Sequence, residues 1–316
     1  MAHFGTTTTG EAVQKITLTA GDLSVSILTW GAVLQSVRLK NIRHDLTLGS
    51  ETLADYEGDL RYHGSIIAPV VNRLTNAQAP LNDETLNFQI NFNDKHTLHS
   101  GDAGTHLKVW SLIQSSESEC LIALTLPHNE GGFPGNRRIT ALFQAEAPAT
   151  LRLTITSTTD ADTILNATNH SYWNLDGAAD FGGHSLQIAA DHYLPTTDEF
   201  IPTGEICRAT QLFDFHKLQA VAPHNPPLDN CFCLSTTQTP LREILTLQGK
   251  TGTALTVATT EPGVQIYDCR HDGYKGLAIE AQGWPDAPNH DDFPPITLAK
   301  DETLTQITEW RFSRRT

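Results

Sequence analysis

The sequence predicts an all-β protein, a large antiparallel β-sandwich or barrel. Three observations carry that expectation. Apolar and polar residues alternate with period two in short runs along the chain; Gly, Pro, Asn or Asp bounds each run; and helical periods are almost absent. Taken in order, the first strands are expected at 15–20, 23–30 and 33–40. In the second of these Leu23, Val25 and Ile27 alternate with Ser24, Ser26 and Leu28. Residues 120–126 and 139–145 continue the pattern. At 151–156, Leu151, Leu153 and Ile155 alternate with Arg152, Thr154 and Thr156. Further strands are expected at 185–190, 254–260, 264–267, 277–282 and 305–312. Only 51–56 and 241–246 carry a helical look. Many short strands with turn signals and so few helical periods imply a sandwich or barrel.

The chain has 316 residues, enough for one large all-β domain or two ordinary ones. No linker, repeat or low-complexity segment divides it. The Pro-rich stretches 221–228 and 285–295 are followed by more strand pattern, so they read as surface loops of a single domain, 1–316. The formal net charge is -15, from 21 Lys+Arg against 36 Asp+Glu. So acidic a surface repels phosphate backbones and anionic lipid, which argues against nucleic-acid and membrane partners. No stretch reaches the roughly 18 apolar residues of a membrane span. The Thr-rich start lacks the basic and apolar regions of a signal peptide. Five cysteines at irregular spacings fit a reducing cytoplasm better than a disulfide framework. Cys231 and Cys233 would share one side of a strand as two ordinary thiols. His96, His99 and His106 lack the partners of a metal centre, so no metal is expected.

The chemistry concentrates on two extended segments. In 164–170, Leu165 and Ala167 fall on one face and Asn166, Thr168 and His170 on the other. In 277–282, Leu277 and Ile279 face one way, Glu280 and Gln282 the other. An imidazole and a carboxylate on facing polar surfaces are the minimum kit for general acid–base work. The blander readings are a structural histidine, which suits most of the 14 here, and a solvated face for Glu280. Tyr172, Trp173 and Trp284 stand beside these residues. Sugar sites combine flat apolar rings with polar groups, but Trp173 reads more readily as core. The loop 192–205 is ordered by two prolines and a glycine, and its acidic residues have no local role. Dinucleotide, Walker, HExxH and GxSxG signatures are absent, and Glu130-Gly131-Gly132-Phe133-Pro134-Gly135-Asn136 reads as a turn.

The ordered motifs resemble the aldose 1-epimerase (galactose mutarotase) family from end to end. They are Asn72-Arg73-Leu74, Leu98-His99-Ser100-Gly101, Lys108-Val109-Trp110, Gly132-Phe133-Pro134-Gly135 and Thr168-Asn169-His170-Ser171-Tyr172-Trp173-Asn174-Leu175. Tyr193-Leu194-Pro195, Ile201-Pro202-Thr203-Gly204-Glu205, Ile279-Glu280-Ala281-Gln282 and Pro285-Asp286-Ala287-Pro288-Asn289 complete them.

The resemblance implies a β-supersandwich that interconverts the α and β anomers of free hexoses without a cofactor. It implies Glu280 as general base on the C1 hydroxyl and His170 as general acid on the ring oxygen, with His99 binding and polarising the same region. Arg73 and Asp229 would hold sugar hydroxyls, and Asn72, Tyr172 and Gln282 complete the expected contacts. The expected partner is a small monosaccharide, handled by a monomer or homodimer. Departures from the family pattern at Gly104-Thr105-His106, Asp229-Asn230-Cys231-Phe232 and Ala68-Pro69-Val70-Val71 are expected around the far hydroxyls of the sugar, where they would bear on its identity. Two alternatives stay open. A hexose-6-phosphate 1-epimerase would favour a basic cluster near the cleft, and a non-catalytic sugar-binding sandwich would need no acid–base pair. A glycosidase would need two flanking carboxylates.

Overall fold

In a computed structural model that describes residues 1–314, the regular secondary structure is mostly antiparallel strand, as expected. Ala2–Thr6, Ala12–Ala20, Leu23–Leu28 and Leu34–Leu39 form a four-stranded meander in chain order. A nine-stranded sheet has Thr303–Arg314 at its centre, between Thr150–Thr159 and Thr253–Thr259. The third sheet has six strands, in the order Tyr172–Trp173, Leu277–Gln282, Gly263–Tyr267, Asp229–Cys233, His192–Tyr193 and Cys207–Arg208. Thr150–Thr159 shows the expected alternation without a break: Leu151, Leu153, Ile155, Ser157 and Thr159 are buried and the residues between are half-exposed. Each such Leu or Ile contributes about 1.5–3 kcal/mol when taken out of water. One apolar core draws on all three sheets, with Val25 and Ile27 from the first, Ile139 and Leu153 from the second, and Val264 and Ile279 from the third. Trp173 belongs to it, packed 6.0 Å from Trp310 and 5.6 Å from Phe312 between ring centroids.

Four expectations need correction. The helix expected at 241–246 is a strand, Arg242–Gln248. Leu, Arg and Glu favour helix locally, but pairing with Thr253–Thr259 on one side and Ser185–Ile188 on the other overrides that preference. The helix expected at 51–56 is Leu53–Glu57, one turn that buries Leu53 and Tyr56. The segment 164–170 is not one strand: Thr163–Ile164 and Thr168–Asn169 pair with different partners, Thr297–Leu298 and Ile66–Ile67. The loop at 285–295 is only partly on the surface, since Pro285, Asp286 and Ala287 are buried. The Asp286 carboxylate explains this, accepting from the backbone N–H of Thr75 at 2.9 Å and so tying the loop inward. Among the described residues, no helix is long and apolar enough to cross a membrane.

Candidate active site

The six-stranded sheet lays out the site by register. Glu280 is paired with Gln265, and Asp229 with Tyr267. Tyr172 is paired with Ala278, two residues from Glu280 and therefore on its side of the sheet. One face thus carries Tyr172, Glu280, Gln265, Tyr267 and Asp229. The opposite side of Leu277–Gln282, with Leu277 and Ile279, packs into the core. This strand is buried on both faces, so Glu280 does not sit on a solvated surface.

The expected polar face of 164–170 does meet that strand, as a ladder. Asn166 accepts from the Gly283 N–H at 2.7 Å and donates to the Gly283 carbonyl at 3.2 Å. The Thr168 hydroxyl donates to the Ala281 carbonyl at 2.8 Å. His170 is the next rung, with Nε2 3.4 Å from Glu280 Oε1. Two rungs fasten the segment and the third supplies chemistry. Asn169 and Ser171 point elsewhere: Asn169 donates to the Gly64 carbonyl at 2.7 Å and accepts from the Ser171 hydroxyl at 2.6 Å. Gly64 returns a backbone hydrogen bond to the His170 carbonyl at 2.9 Å.

A second pair of short strands, Arg73–Leu74 with Thr97–Leu98, brings Arg73 and His99 to the same place. Asn72 and His99 both adopt positive φ, 63° and 51°, which turns the chain sharply at each. Asn72 N–H donates to His99 Nδ1 at 3.1 Å, so neutral His99 carries its proton on Nε2. The Asn72 side-chain oxygen accepts from Arg73 N–H at 2.9 Å. Arg73 Nη2 lies 3.4 Å from Asp229 Oδ2, and Gln265 donates to Asp229 Oδ1 at 2.7 Å. The Arg73 guanidinium is sandwiched by Phe92 and Phe200, at 4.7 and 5.3 Å from their ring centroids.

These groups line one open cleft of about 1160 Å³, joined there by Tyr62, His63, Tyr267, Cys269, Asp272 and Lys275. The rings form a continuous wall: His63 stacks on Tyr172 at 4.1 Å and Tyr172 on His170 at 5.0 Å, while Tyr62 packs 4.6 Å from His99. Burial dominates the electrostatics. It holds His170 down to about 3 and His99 well below the usual imidazole range, and raises Glu280 well above the usual carboxylate range. Asp229 pushes Glu280 further up, and Arg73 opposes it. Burial also raises Asp229, again against the pull of Arg73. Glu280 Oε2 and His170 Nδ1 have no partner among the described residues.

Of the eight residues singled out from the sequence, His170, Glu280, His99, Arg73, Asn72, Asp229 and Tyr172 line the cleft. Gln282 does not. It lies two residues beyond Glu280, opposite Gly263 and close to the buried Trp284, and donates to the Gly283 carbonyl at 3.3 Å. The departures expected around the sugar's far hydroxyls also lie elsewhere. Ala68, Val70, Val71, Thr105, His106 and Cys231 are buried outside the cleft lining, Thr105 bonding to the backbone of Ala68 and Ile66. The three histidines do not converge, because His96 accepts from Asn76 N–H and faces Glu199 instead. Sequence reasoning missed Tyr62, His63, Phe200 and Tyr267. Tyr267 was legible as the residue two beyond Gln265 on its strand; the others come from turns with no periodic signal.

The sequence profile of the aldose 1-epimerase family matches residues 14–311. Galactose mutarotase of Rattus norvegicus is 30% identical over 330 residues, which span 96% of this chain and 95% of the relative. Aldose 1-epimerase of Escherichia coli (strain K12) is 28% identical over 320 residues, 91% of each chain. An aldose epimerase homologue from C. elegans superimposes with a TM-score of 0.89 at 27% identity, over 96% of this chain and all of the other. The fold is shared with galactose 1-epimerase from Lactobacillus acidophilus, with a TM-score of 0.86 at 23% identity, over 100% of this chain and 98% of that one.

Proposed function

The chain belongs to the aldose 1-epimerase family, and from that premise we propose that it interconverts the α and β anomers of a free hexose, galactose, glucose or a related aldose. The observation that carries this reading is the contact of His170 Nε2 with Glu280 Oε1 at 3.4 Å, inside a cleft lined by polar groups and aromatic rings together. The neutral pair, a protonated Glu280 beside a neutral His170, and the ion pair hold the same number of protons. Burial favours the first; a bound polyol and Arg73 favour the second.

In the ion pair Glu280 takes the proton from the C1 hydroxyl and His170 gives one to the ring oxygen, opening the C1–O5 bond. Rotation about C1–C2 presents the other carbonyl face, and closure reverses both transfers. The Nε2–H of His99 donates to the same region. Arg73, braced by Asn72, Phe92 and Phe200, offers a planar fork of donors to vicinal hydroxyls, with Asp229 accepting beside it. Tyr172 supplies the flat surface under the ring. Electrons do not move between substrate and protein, so the reaction calls for no redox cofactor.

A core that draws on all three sheets supports reading 1–316 as one domain, and the unpaired cysteines suit a cytoplasmic setting. The test is polarimetry of freshly dissolved α-D-galactose, α-D-glucose and glucose 6-phosphate. Faster decay of optical rotation with the free hexoses is expected. No acceleration of any of them would overturn the proposal, and a preference for the phosphate would replace the substrate class.

A further inference from the structure

Beyond the acid–base pair, the same cleft holds a second cluster that the proposed reaction does not use. Cys269 leads into a single 3-10 turn, Arg270–Asp272, and Asp272 ends it. Cys269 adopts φ 53° and Gly273 φ 66°, which close the turn at both ends, and Asp272 N–H bonds the Cys269 carbonyl at 3.0 Å. His63 faces this turn from the 60–65 segment, held by its N–H to the Leu60 carbonyl at 2.9 Å. One ligand atom from each of His63, Cys269 and Asp272 lies within 4.8 Å of the other two, and all three residues line the cleft.

The second observation is His63 itself. It is 6% exposed, and neither ring nitrogen has a hydrogen-bond partner among the described residues. Buried polar groups are satisfied in the large majority of cases, and a histidine stacked on Tyr172 could pack as well with a carbon ring. Two unpartnered nitrogens beside a buried thiol and a carboxylate are what a metal site presents before it is loaded.

We propose that His63, Cys269 and Asp272 form a binding site for a thiophilic divalent cation of the zinc class. Nitrogen, sulfur and oxygen donors together favour zinc over magnesium or calcium, which take oxygen ligands. Bonds of about 2.0–2.3 Å in tetrahedral geometry place ligand atoms roughly 3.3–3.8 Å apart, so atoms that already lie within 4.8 Å of one another close by at most about 1–1.5 Å on loading. Asp272, with a side chain 37% exposed, has room to make that movement. Lys275 donates to Asp272 Oδ1 at 2.7 Å and leaves Oδ2 for the metal. The cation displaces the Cys269 thiol proton to solvent and bonds the thiolate sulfur. Three protein ligands leave a fourth position for water or a polyol hydroxyl. The test of this site is independent of the proposed epimerase activity, since binding alone reads it out.

The test uses the intact chain and Co²⁺ as a spectroscopic substitute for Zn²⁺. One equivalent of Co²⁺ should produce a sulfur-to-cobalt charge-transfer band that Zn²⁺ displaces. Cys269→Ser or His63→Phe should remove the band, and Cys207→Ser and Cys231→Ser should retain it. Asp272→Asn should weaken binding by about 10–100-fold, at least what an outer-shell loss costs, and Lys275→Ala should tighten it. Cys269→Gly removes the thiol and suits the positive φ, so it serves if the serine variant fails to fold. Absence of the band in the parent protein, or its survival in a folded Cys269 variant, would overturn the proposal.

Discussion

Replacing Arg73 by methionine tests the electrostatics of the cleft directly. Arg73 and Asp229 are 12% and 10% exposed and their charged atoms lie 3.4 Å apart. At an effective dielectric of about 20, that separation corresponds to an attraction of ~5 kcal/mol before desolvation is charged against it. An opposite charge this close lowers a carboxyl pKa by about 1–3 units, and each unit is about 1.4 kcal/mol. Asp229 already stands above its ordinary value because of burial. The folded protein therefore retains a proton that the unfolded chain has released, and stability falls as pH rises from the unfolded value, about 3.9, through the folded one. R73M raises the folded value further. Its pH-dependent deficit should be absent below about pH 3.9 and reach ~1.4–4 kcal/mol once pH exceeds the raised value. Glu280, which Arg73 also pulls down, shifts in the same direction. Urea unfolding of parent and R73M at acidic and neutral pH measures the difference. D229N in the R73M background should recover much of it, because the uncompensated charge is gone. A deficit of equal size at both pH values, with no recovery in the double variant, would refute this account.

Two further outcomes follow from the same geometry. G64A should lower both stability and turnover, because Gly64 sits at φ +71° with a Cβ position 2.4 Å from the Leu34 carbonyl oxygen and its own backbone positions His170; a loss of about 1–3 kcal/mol in thermal unfolding is expected from backbone strain alone. The active form holds one proton on the pair, so the acid limb of kcat/KM should follow His170, which burial holds down to about 3, and the alkaline limb should follow loss of the proton from Glu280, which burial and Asp229 raise. A pH profile whose acid limb lies at or above the ordinary glutamate value of about 4.3 would contradict the burial argument.

Much of the sandwich was legible because its strands bury one face and leave the other half-exposed, as Leu151, Leu153 and Ile155 show. The strand at 277–282 was legible too, although Leu277–Gln282 is buried throughout. The pattern fails where local composition favours helix: Arg242–Gln248 looks helical but takes strand geometry from its two neighbours. The polar face of 164–170 was correct in direction, yet Asn166 and Thr168 are fasteners rather than ligand contacts. Alternation cannot separate those roles, because both need a polar side chain on the same side. Gln282 illustrates the complementary limit: it shares a face with Glu280, but the cleft ends before it. His63 and Tyr62 were invisible because a tight turn, not a period, places them against Tyr172 and His99.

The proposed mechanism makes His170 and Glu280 a single acid–base unit. Polarimetric rates for the parent, H170N, E280Q and the double variant, each checked for native circular dichroism, measure that coupling. Each single change should lower kcat by about 10²–10⁴-fold, and the double variant should be little worse than the poorer single, because groups that act together are not additive. A double variant whose loss equals the product of the two single losses, or a single variant with parental activity, would contradict the claim.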